Sequence, residues 1–453
     1  MLREVLGGAD SAEAGTAASE RDRAVSLASA DADARAGATA CRLYAGDNLA
    51  VCRHLLTDAA VAGKVQMIYL DPPFFSGSDY EAIVPVGKTT MRHPVYQDTW
   101  AGDELAYLTM LTARLYVFRD LLAKEGLLWV HLDWHAAHYA RLILDQIFGE
   151  RNFVNEVIWQ YKSGGSSKRR FSRKHDTLLV YSKSPQYAFY PLQEKSYNRG
   201  LRPYRFQGVE EFQDETGWYT LVNMKDVWEL DMVGRTARER TGYATQKPEA
   251  LLARIVESST REGDLVLDGF CGSGTLGAVA TKKHRASILC DASPLAVVTT
   301  AQRVQEAGGV VSCFQPASVP GENPAREPGR RPVTGCGENP LAPVAQLRLE
   351  TLPEGGRQVV LQSVALGPVV ETAPLPAAER SKLQAAAKEN AFALIRSWSV
   401  DFAYDGRVHR PTAQAVGGPE TTGPFVLTGP GGEGPVSVKV VDVFGNTGFS
   451  VLP

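Results

Sequence analysis

Through its first two-thirds the chain alternates short apolar runs with longer stretches of helical periodicity. "CRLYAGDNLAVCRHLL" reads as a strand, a Gly-Asp turn and a helix with Leu49, Cys52, Leu55 and Leu56 on one face. Four strand-like runs follow, "KVQMIYL", "GLLWVHL", "VNEVIWQY" and "HDTLLVYSK". Helical stretches stand among them, "ELAYLTMLTARLYVFRDLLAKEG" and "AHYARLILDQIFG", each expected to stop at its glycine. Residues 185–245 break the rhythm with an aromatic and basic segment of no clear period. The alternation resumes at "TQKPEALLARIVESS", where Pro248 suits a first helical turn and Leu251, Leu252, Ile255 and Val256 form the buried stripe. "DLVLDGF" and "RASILCD" are two further strands, each trailed by a helix. Strand–helix alternation of this kind predicts an α/β fold with a mostly parallel sheet and helices on both faces.

The ends of the chain read differently. Residues 1–40 carry no sustained pattern and are expected to be a disordered tail. Order is expected over 41–315, then a Pro/Gly-rich linker over 316–343 in which "GENP" occurs twice. Residues 344–453 hold one Ala-rich helix and β-like runs such as "VSVKVVDVFGN", and are expected to form a small accessory module, mixed or β-rich.

Composition narrows the classes. With 453 residues and 44% hydrophobic content the chain can bury a large core. A formal net charge of -3 excludes an overall polycation, so any nucleic-acid contact must use a local patch. The six cysteines form no CxxC pair, which points away from a metal site and from a disulfide framework, and toward a reducing cytoplasm. No apolar run is long enough for a bilayer, and the start lacks the apolar centre of a signal peptide.

Against this frame "YLDPPFFSG" stands out. A buried strand ends at Asp71, and Pro72 and Pro73 force the chain out of the sheet. The stretch sets the Asp71 carboxylate, the Pro72 carbonyl, its direction fixed by Pro73, and the Phe74 ring together at the tip of that strand.

A second motif, "LVLDGFCGSGT", sets an acid and a glycine loop between a strand and a helix. Glycines there allow close backbone approach, and the helix start favours a carboxylate. Asp268 ends its strand where it could accept from an ammonium group. Asp291 ends the next strand, where a carboxylate can take both hydroxyls of a ribose. No P-loop lysine follows. An amino-acid head, a ribose and no phosphate together describe S-adenosylmethionine.

"DPPF", "TQKPEALLARI" and "LDGFCGSGT", in that order, resemble the DNA amino-methyltransferases of the permuted beta group, in which the catalytic motif precedes the cofactor motif. "GLLWVHLDWHAAHYARLILDQIFGERNFVNEVIW" and "ERTGYATQKPEALL" are similar to members related to type III modification enzymes. The likeness covers roughly residues 41–305 and implies a circularly permuted Rossmann-like class I methyltransferase sheet. It implies that Phe270, Cys271, Gly272, Ser273, Gly274 and Thr275 wrap the methionine part of S-adenosylmethionine near Asp268, and that Asp291 holds the ribose. Gln246 and Lys247 would close the cofactor pocket, with Asp47 near the adenine, and no metal is required. An exocyclic base amine is a poor nucleophile because its lone pair is delocalised into the ring; the resemblance implies that Asp71 and the Pro72 carbonyl accept its two N–H bonds and that Phe74 stacks on a base rotated out of the duplex. Gly269, Leu276 and Ala244 depart from the family's commoner residues.

Double-stranded DNA is the expected partner. "KSGGSSKRRFSRKH" gathers Lys162, Lys168, Arg169, Arg170, Arg173 and Lys174 among Gly and Ser, a pattern suited to phosphate contact. The segment 185–245 mixes Arg199, Arg202 and Arg205 with Tyr197, Tyr204, Phe206, Trp218 and Tyr219, and is the expected site of target recognition, packing beneath a loop being the alternative. The expectation is a cytoplasmic, site-specific DNA methyltransferase acting on adenine N6, since the family's adenine enzymes favour "DPP" over "SPP". The alternatives are cytosine N4, a DNA-binding protein without turnover, or methylation of a protein amide. A homodimer and a separate restriction subunit are left open. Every candidate residue precedes the linker, so the C-terminal module is expected to be dispensable for chemistry.

Overall fold

The computed structural model describes residues 39–86, 88–98, 100, 103–162, 167–314, 343–366, 377–406, 412–417 and 423–453. The expected tail up to residue 38 and the expected linker up to residue 342 lie outside the described residues.

The elements as far as the first crossover are β1 (Ala40–Ala45), α1 (Asn48–Leu56), β2 (Val65–Leu70), a hairpin of β3 (Asp79–Val86) and β4 (Thr89–Gln97), α2 (Glu104–Leu121) and β5 (Leu122–Leu132). Next come α3 (Ala137–Leu144), β6 (Phe153–Gln160), β7 (His175–Ser182) and the insert strands β8 (Gln193–Tyr197), β9 (Phe212–Gln213), β10 (Trp218–Asn223) and β11 (Val227–Glu229). Then follow α4 (Glu249–Ser259), β12 (Leu265–Asp268), α5 (Thr275–Lys282), β13 (Ala286–Asp291), α6 (Pro294–Glu306) and β14 (Val310–Phe314).

Nine of these strands form one sheet in the order β11-β6-β7-β5-β2-β12-β13-β1-β14. Only β7 runs against the others, pairing antiparallel with both β5 and β6. The central strands are buried on both faces, as β2 shows in Val65, Met67, Ile68, Tyr69 and Leu70. The expected α/β class is therefore the observed one. The register aligns Asp268 with Tyr69 on one side and with Leu289 on the other, and Asp291 with Ala45. Asp71, Asp268, Asp291 and Asp47 thus emerge at the carboxyl edge of four neighbouring strands. That edge, at the point where the chain order reverses, is where open α/β sheets bind ligands.

Three expectations need correction. The helix expected to run to Gly126 ends at Leu121, and Leu122 already begins β5. Gly126 serves the strand instead: a Cβ there would stand 3.0 Å from the Gln66 carbonyl, beside a register shift between Val65 and Met67. The segment 185–245 is not uniformly irregular, since β8, β10 and β9 make a small antiparallel sheet and β11 joins the edge of the main sheet on β6.

The third concerns the C-terminal residues. They are β-rich as expected, with β15 (Val344–Thr351), β16 (Arg357–Ala365), α7 (Ala377–Glu389), β17 (Ile395–Asp401), β18 (Ala413–Val416), β19 (Phe425–Gly429), β20 (Val436–Asp442) and β21 (Thr447–Leu452). They do not stand apart from the larger unit. Trp398, Leu361, Leu383 and Val440 share one apolar cluster with Ala82, Val84, Val86 and Met91 of the β3–β4 hairpin and with Leu295 and Ala296 of α6. Among the described residues no helix is long and apolar enough to cross a membrane.

Candidate active site

The strand end at Asp71 meets three other elements. Lys247, just before α4, donates its ammonium to Asp71 Oδ2 at 2.5 Å. His131, near the end of β5 and 0% exposed, brings Nδ1 to 4.0 Å from Asp71 Oδ1. The same Nδ1 lies 2.8 Å from the Tyr69 hydroxyl, and Nε2 lies 3.2 Å from Asp176 Oδ2 at the start of β7. Asp176 also accepts from the Tyr161 hydroxyl at 3.1 Å. Burial pushes the Asp176 carboxyl up, but the hydrogen bond and charge of His131, the charge of Lys247 and the Tyr161 hydroxyl outweigh it and hold it below the ordinary range. Phe74 lies against this group, its ring 5.8 Å from the His131 ring and 5.1 Å from the Lys247 ammonium. Asp71 Oδ1 itself is a buried acceptor to which no hydrogen bond is donated among the described residues.

The loop after Asp71 is held by a residue that sequence reading did not single out. Asp98, 1% exposed at the foot of the β3–β4 hairpin, accepts the backbone N–H of Phe74 at 3.1 Å, of Phe75 at 3.0 Å and of Ser76 at 2.8 Å. It also accepts the Ser76 hydroxyl at 2.8 Å. Phe75 carries a φ of 62°, a left-handed conformation that a bulky side chain rarely adopts. Such a conformation costs about 1–3 kcal/mol and persists only where its surroundings dictate it. The Asp98 carboxylate supplies that constraint. A carboxylate at a hairpin foot, 24 residues after Phe74, leaves no periodic or motif signal. His131 left one, as the polar member of the apolar run "GLLWVHL".

On the neighbouring strand Asp268 Oδ1 accepts the Phe270 N–H at 2.9 Å. Burial pushes the Asp268 carboxyl well above its ordinary range, and the negative charges of Asp71 and Asp291 push the same way, against that N–H and the Lys247 charge. Asp291 is oriented by the N–H of Gly272 at 2.9 Å and of Ser293 at 2.8 Å. Gly274 has a φ of 75°, and a Cβ there would stand 2.7 Å from Thr300, so this tight turn requires glycine. Gly269, where the family more often has another residue, lies against Phe118: a Cβ would meet that ring at 2.4 Å.

The other expected cofactor residues divide. Cys271 and Ser273 are buried within the loop, and the Thr275 hydroxyl donates to the Lys247 carbonyl at 3.1 Å while accepting from Arg303 at 2.9 Å. Lys247 therefore keeps its backbone beside the glycine loop but spends its ammonium on Asp71. Gln246 is engaged within its own turn, accepting from Thr241 at 2.9 Å and donating to the Glu239 carbonyl at 2.6 Å. Asp47 caps α1 through the N–H groups of Leu49 and Ala50 and pairs with Arg114 at 2.5 Å.

In the basic loop Lys162, Lys168, Arg169, Arg170 and Arg173 are exposed and Lys174 is half-buried. Lys168, Arg169 and Arg170 make no ion pair among the described residues. Arg173 stacks its guanidinium 3.3 Å over the ring of Trp134, just beyond β5. In the aromatic insert Phe212 and Tyr219 stack with one another, whereas Tyr204, Phe206 and the arginines 199, 202 and 205 face outward.

A family model described as DNA methylase matches residues 65–302, from the first residue of β2 into α6. This span holds Asp71, Asp98, His131, Asp176, Lys247, the glycine loop and Asp291. The chain belongs to the DNA methylase family. Among the relatives of this DNA methylase is the type II methyltransferase M.HpaI of Haemophilus parainfluenzae, 28% identical over 231 residues, which are 50% of this chain and 64% of that protein. The type II methyltransferase M2.DpnII of Streptococcus pneumoniae is 30% identical over 231 residues, 51% of this chain and 78% of that protein. The EcoP15I Mod subunit of a type III restriction-modification enzyme from Escherichia coli is 30% identical over 162 residues, 32% of this chain and 24% of that protein. The chain thus spans less than two-thirds of M.HpaI and about a quarter of the Mod subunit. Similar solved structures include the M1.HpyAVI–SAM complex, at 17% identity and a TM-score of 0.38 over 58% of this chain and 98% of that one. Another is the cytosine-N4-specific PvuII DNA methyltransferase, at 16% identity and a TM-score of 0.39 over 59% of this chain and 89% of that one.

Proposed function

We propose that this DNA methylase transfers a methyl group from S-adenosylmethionine to the exocyclic amine of a base in duplex DNA, with adenine N6 as the target. The observation that carries the proposal is Asp71 Oδ1, a buried acceptor without a donor, one strand away from the buried carboxyl of Asp268. Neighbouring strands lie about 4.8 Å apart, so an amine on Asp71 and a ligand on Asp268 would be close neighbours.

The residues fit the cofactor. A carboxyl that burial drives toward its neutral form, as at Asp268, suits a cationic ammonium, which would restore its charge. Asp291, held by two backbone N–H groups, suits vicinal hydroxyls, and the positive-φ glycines 272 and 274 let a ligand approach the backbone. When bound, S-adenosylmethionine supplies an electrophilic methyl on its sulfonium. Asp71 Oδ1 and the Pro72 carbonyl would accept the two N–H bonds of the target amine and free its lone pair, and Phe74 would stack on the base. Asp71 would also take the proton that the amine sheds after transfer. The Lys247 ammonium, already on Oδ2, would hold the carboxylate in place with Oδ1 toward the amine. Preorganised acceptors and in-line positioning supply the rate.

The names of M.HpaI and M2.DpnII as methyltransferases support this reading, and the "DPP" form of the motif supports adenine over cytosine. The restriction subunit that the Mod name implies is not carried over, because only 24% of that protein is matched. Incubation with methyl-labelled cofactor and separate DNA, RNA and protein substrates tests the proposal: label in DNA alone, at adenine N6, is expected, and label in protein or RNA alone overturns it.

A further inference from the structure

Phe171 is 98% exposed, more than any other large apolar residue described, Phe206 being next among the phenylalanines at 63%. Leaving a phenylalanine in water forgoes about 1.5–3 kcal/mol of burial, which a partner surface would recover. Its neighbours specify the kind. Lys168, Arg169, Arg170 and Arg173 surround it in sequence, all exposed, a charge pattern that suits a phosphate backbone.

Its position specifies the place. The base of the loop is closed by the Tyr161 N–H donating to the Lys174 carbonyl at 2.9 Å. Directly below, Tyr161 and Asp176 join at 3.1 Å, Asp176 meets His131 at 3.2 Å, and His131 stands 4.0 Å from Asp71. Arg173 ties the same strand of the loop to Trp134. Phe171 lies three residues beyond Lys174, a reach of about 10 Å at most. The loop that carries it joins the end of β6 to the start of antiparallel β7, and so leaves the sheet at the same edge as Asp71.

We infer that Phe171 is a wedge that enters the DNA base stack beside the target as the base leaves it, while the surrounding lysine and arginines hold the flanking phosphates. Extrusion leaves a gap in the stack, and inserted apolar side chains are an established way of opening a base step. The inference rests on the proposed action on DNA and adds the residue that opens the duplex. Phe171 would touch neither the cofactor nor the reacting nitrogen, so it is a positioning residue.

The test uses the full chain and two duplexes carrying the site mapped by modified-base sequencing of expressing cells, one fully paired and one with the target opposite an abasic position. Phe171→Ala is expected to slow methylation of the paired duplex by about tenfold to a hundredfold, and to approach the wild-type rate on the duplex whose target is already unpaired. Phe171→Trp should retain activity, and its added indole emission should be quenched when duplex binds. An equal deficit of Phe171→Ala on both duplexes, or no deficit on the paired one, overturns the wedge. If the wild-type chain methylates no DNA, the functional proposal falls, and the Phe171→Trp emission decides the wedge separately on random-sequence duplex: quenching supports it and unchanged emission overturns it.

Discussion

The ammonium of Lys247 and the carboxylate of Asp71 are joined at 2.5 Å across 176 positions of sequence. This pair fastens the strand that ends in the proposed catalytic motif to the segment that borders the glycine loop, so the halves that would bind amine and cofactor share one ion pair. Both side chains are largely buried, and removing one partner of a buried pair typically costs about 3–5 kcal/mol. Lys247→Met should therefore lower the melting temperature and reduce kcat more than it raises the KM for the cofactor, because the lost ammonium served Asp71. Steady-state kinetics at varied cofactor concentration check this. A rise in KM with unchanged kcat would return Lys247 to a cofactor role.

Asp98 gives a second prediction. Its carboxylate holds three backbone N–H groups around the strained Phe75, so Asp98→Ala should let the 72–76 loop relax and turnover should fall by about a hundredfold or more. Cofactor affinity, measured by calorimetry, should change little, since no Asp98 contact reaches the glycine loop. Asp98→Asn keeps one acceptor oxygen and should fall between the two.

Asp268 gives the pH dependence. Its carboxyl is pushed up by burial, so the free protein carries it protonated at pH values where an ordinary carboxyl is already charged. Ammonium binding favours the charged form, so cofactor binding should release a proton and tighten as pH rises toward the raised pKa. Affinity should weaken on acidification from above the ordinary carboxylate range. Asp268→Asn should bind weakly at every pH and lose this dependence, which titration calorimetry in buffers of different ionisation enthalpy measures directly.

The C-terminal module gives a fourth. Because its apolar residues pack on Ala82, Val84, Val86 and Met91 of the hairpin that ends at Asp98, a chain stopped at residue 314 would expose that face. Burial of each such side chain contributes about 1.5–3 kcal/mol, so the shortened chain should melt lower and turn over more slowly than the full one. A shortened chain with full activity and unchanged melting would restore the expectation that the module is dispensable.

The fifth concerns phosphate contact. Lys168→Ala, Arg169→Ala and Arg170→Ala together should weaken DNA binding and flatten its log–log salt dependence by about three at most, since each neutralised phosphate contributes about 0.9. An unchanged slope would count against contact by these three.

What could be read from the sequence was whatever local pattern encodes. Strand ends at Asp71, Asp268 and Asp291 were legible because each closes an apolar run, and the glycine loop because its residue types are dictated by the turn. Long-range partners were not. Asp98 and Asp176 are ordinary acids in sequence, and only the hairpin and the β5–β7 register bring them to Phe75 and His131. Lys247 was legible as part of the site but not in its direction, because backbone position beside the glycine loop says nothing of where a four-carbon side chain turns. Gly126 misled because a glycine closing a helical pattern and a glycine inside a strand look alike until the neighbouring strand is placed.

In the proposed reaction Asp71 performs chemistry while Asp291 binds cofactor, and paired substitutions measured on one DNA substrate separate the two. Asp71→Ala should bind S-adenosylmethionine with near wild-type affinity and lose methyl transfer by on the order of a hundredfold to a thousandfold, the usual cost of one preorganised group. Asp291→Ala should require more cofactor and keep measurable turnover at saturation. Single-turnover transfer of labelled methyl, with both mutants at saturating cofactor, is the direct measurement. A much reduced rate for Asp71→Ala beside a largely preserved one for Asp291→Ala is the predicted result, and methylation by Asp71→Ala at the wild-type rate would contradict it.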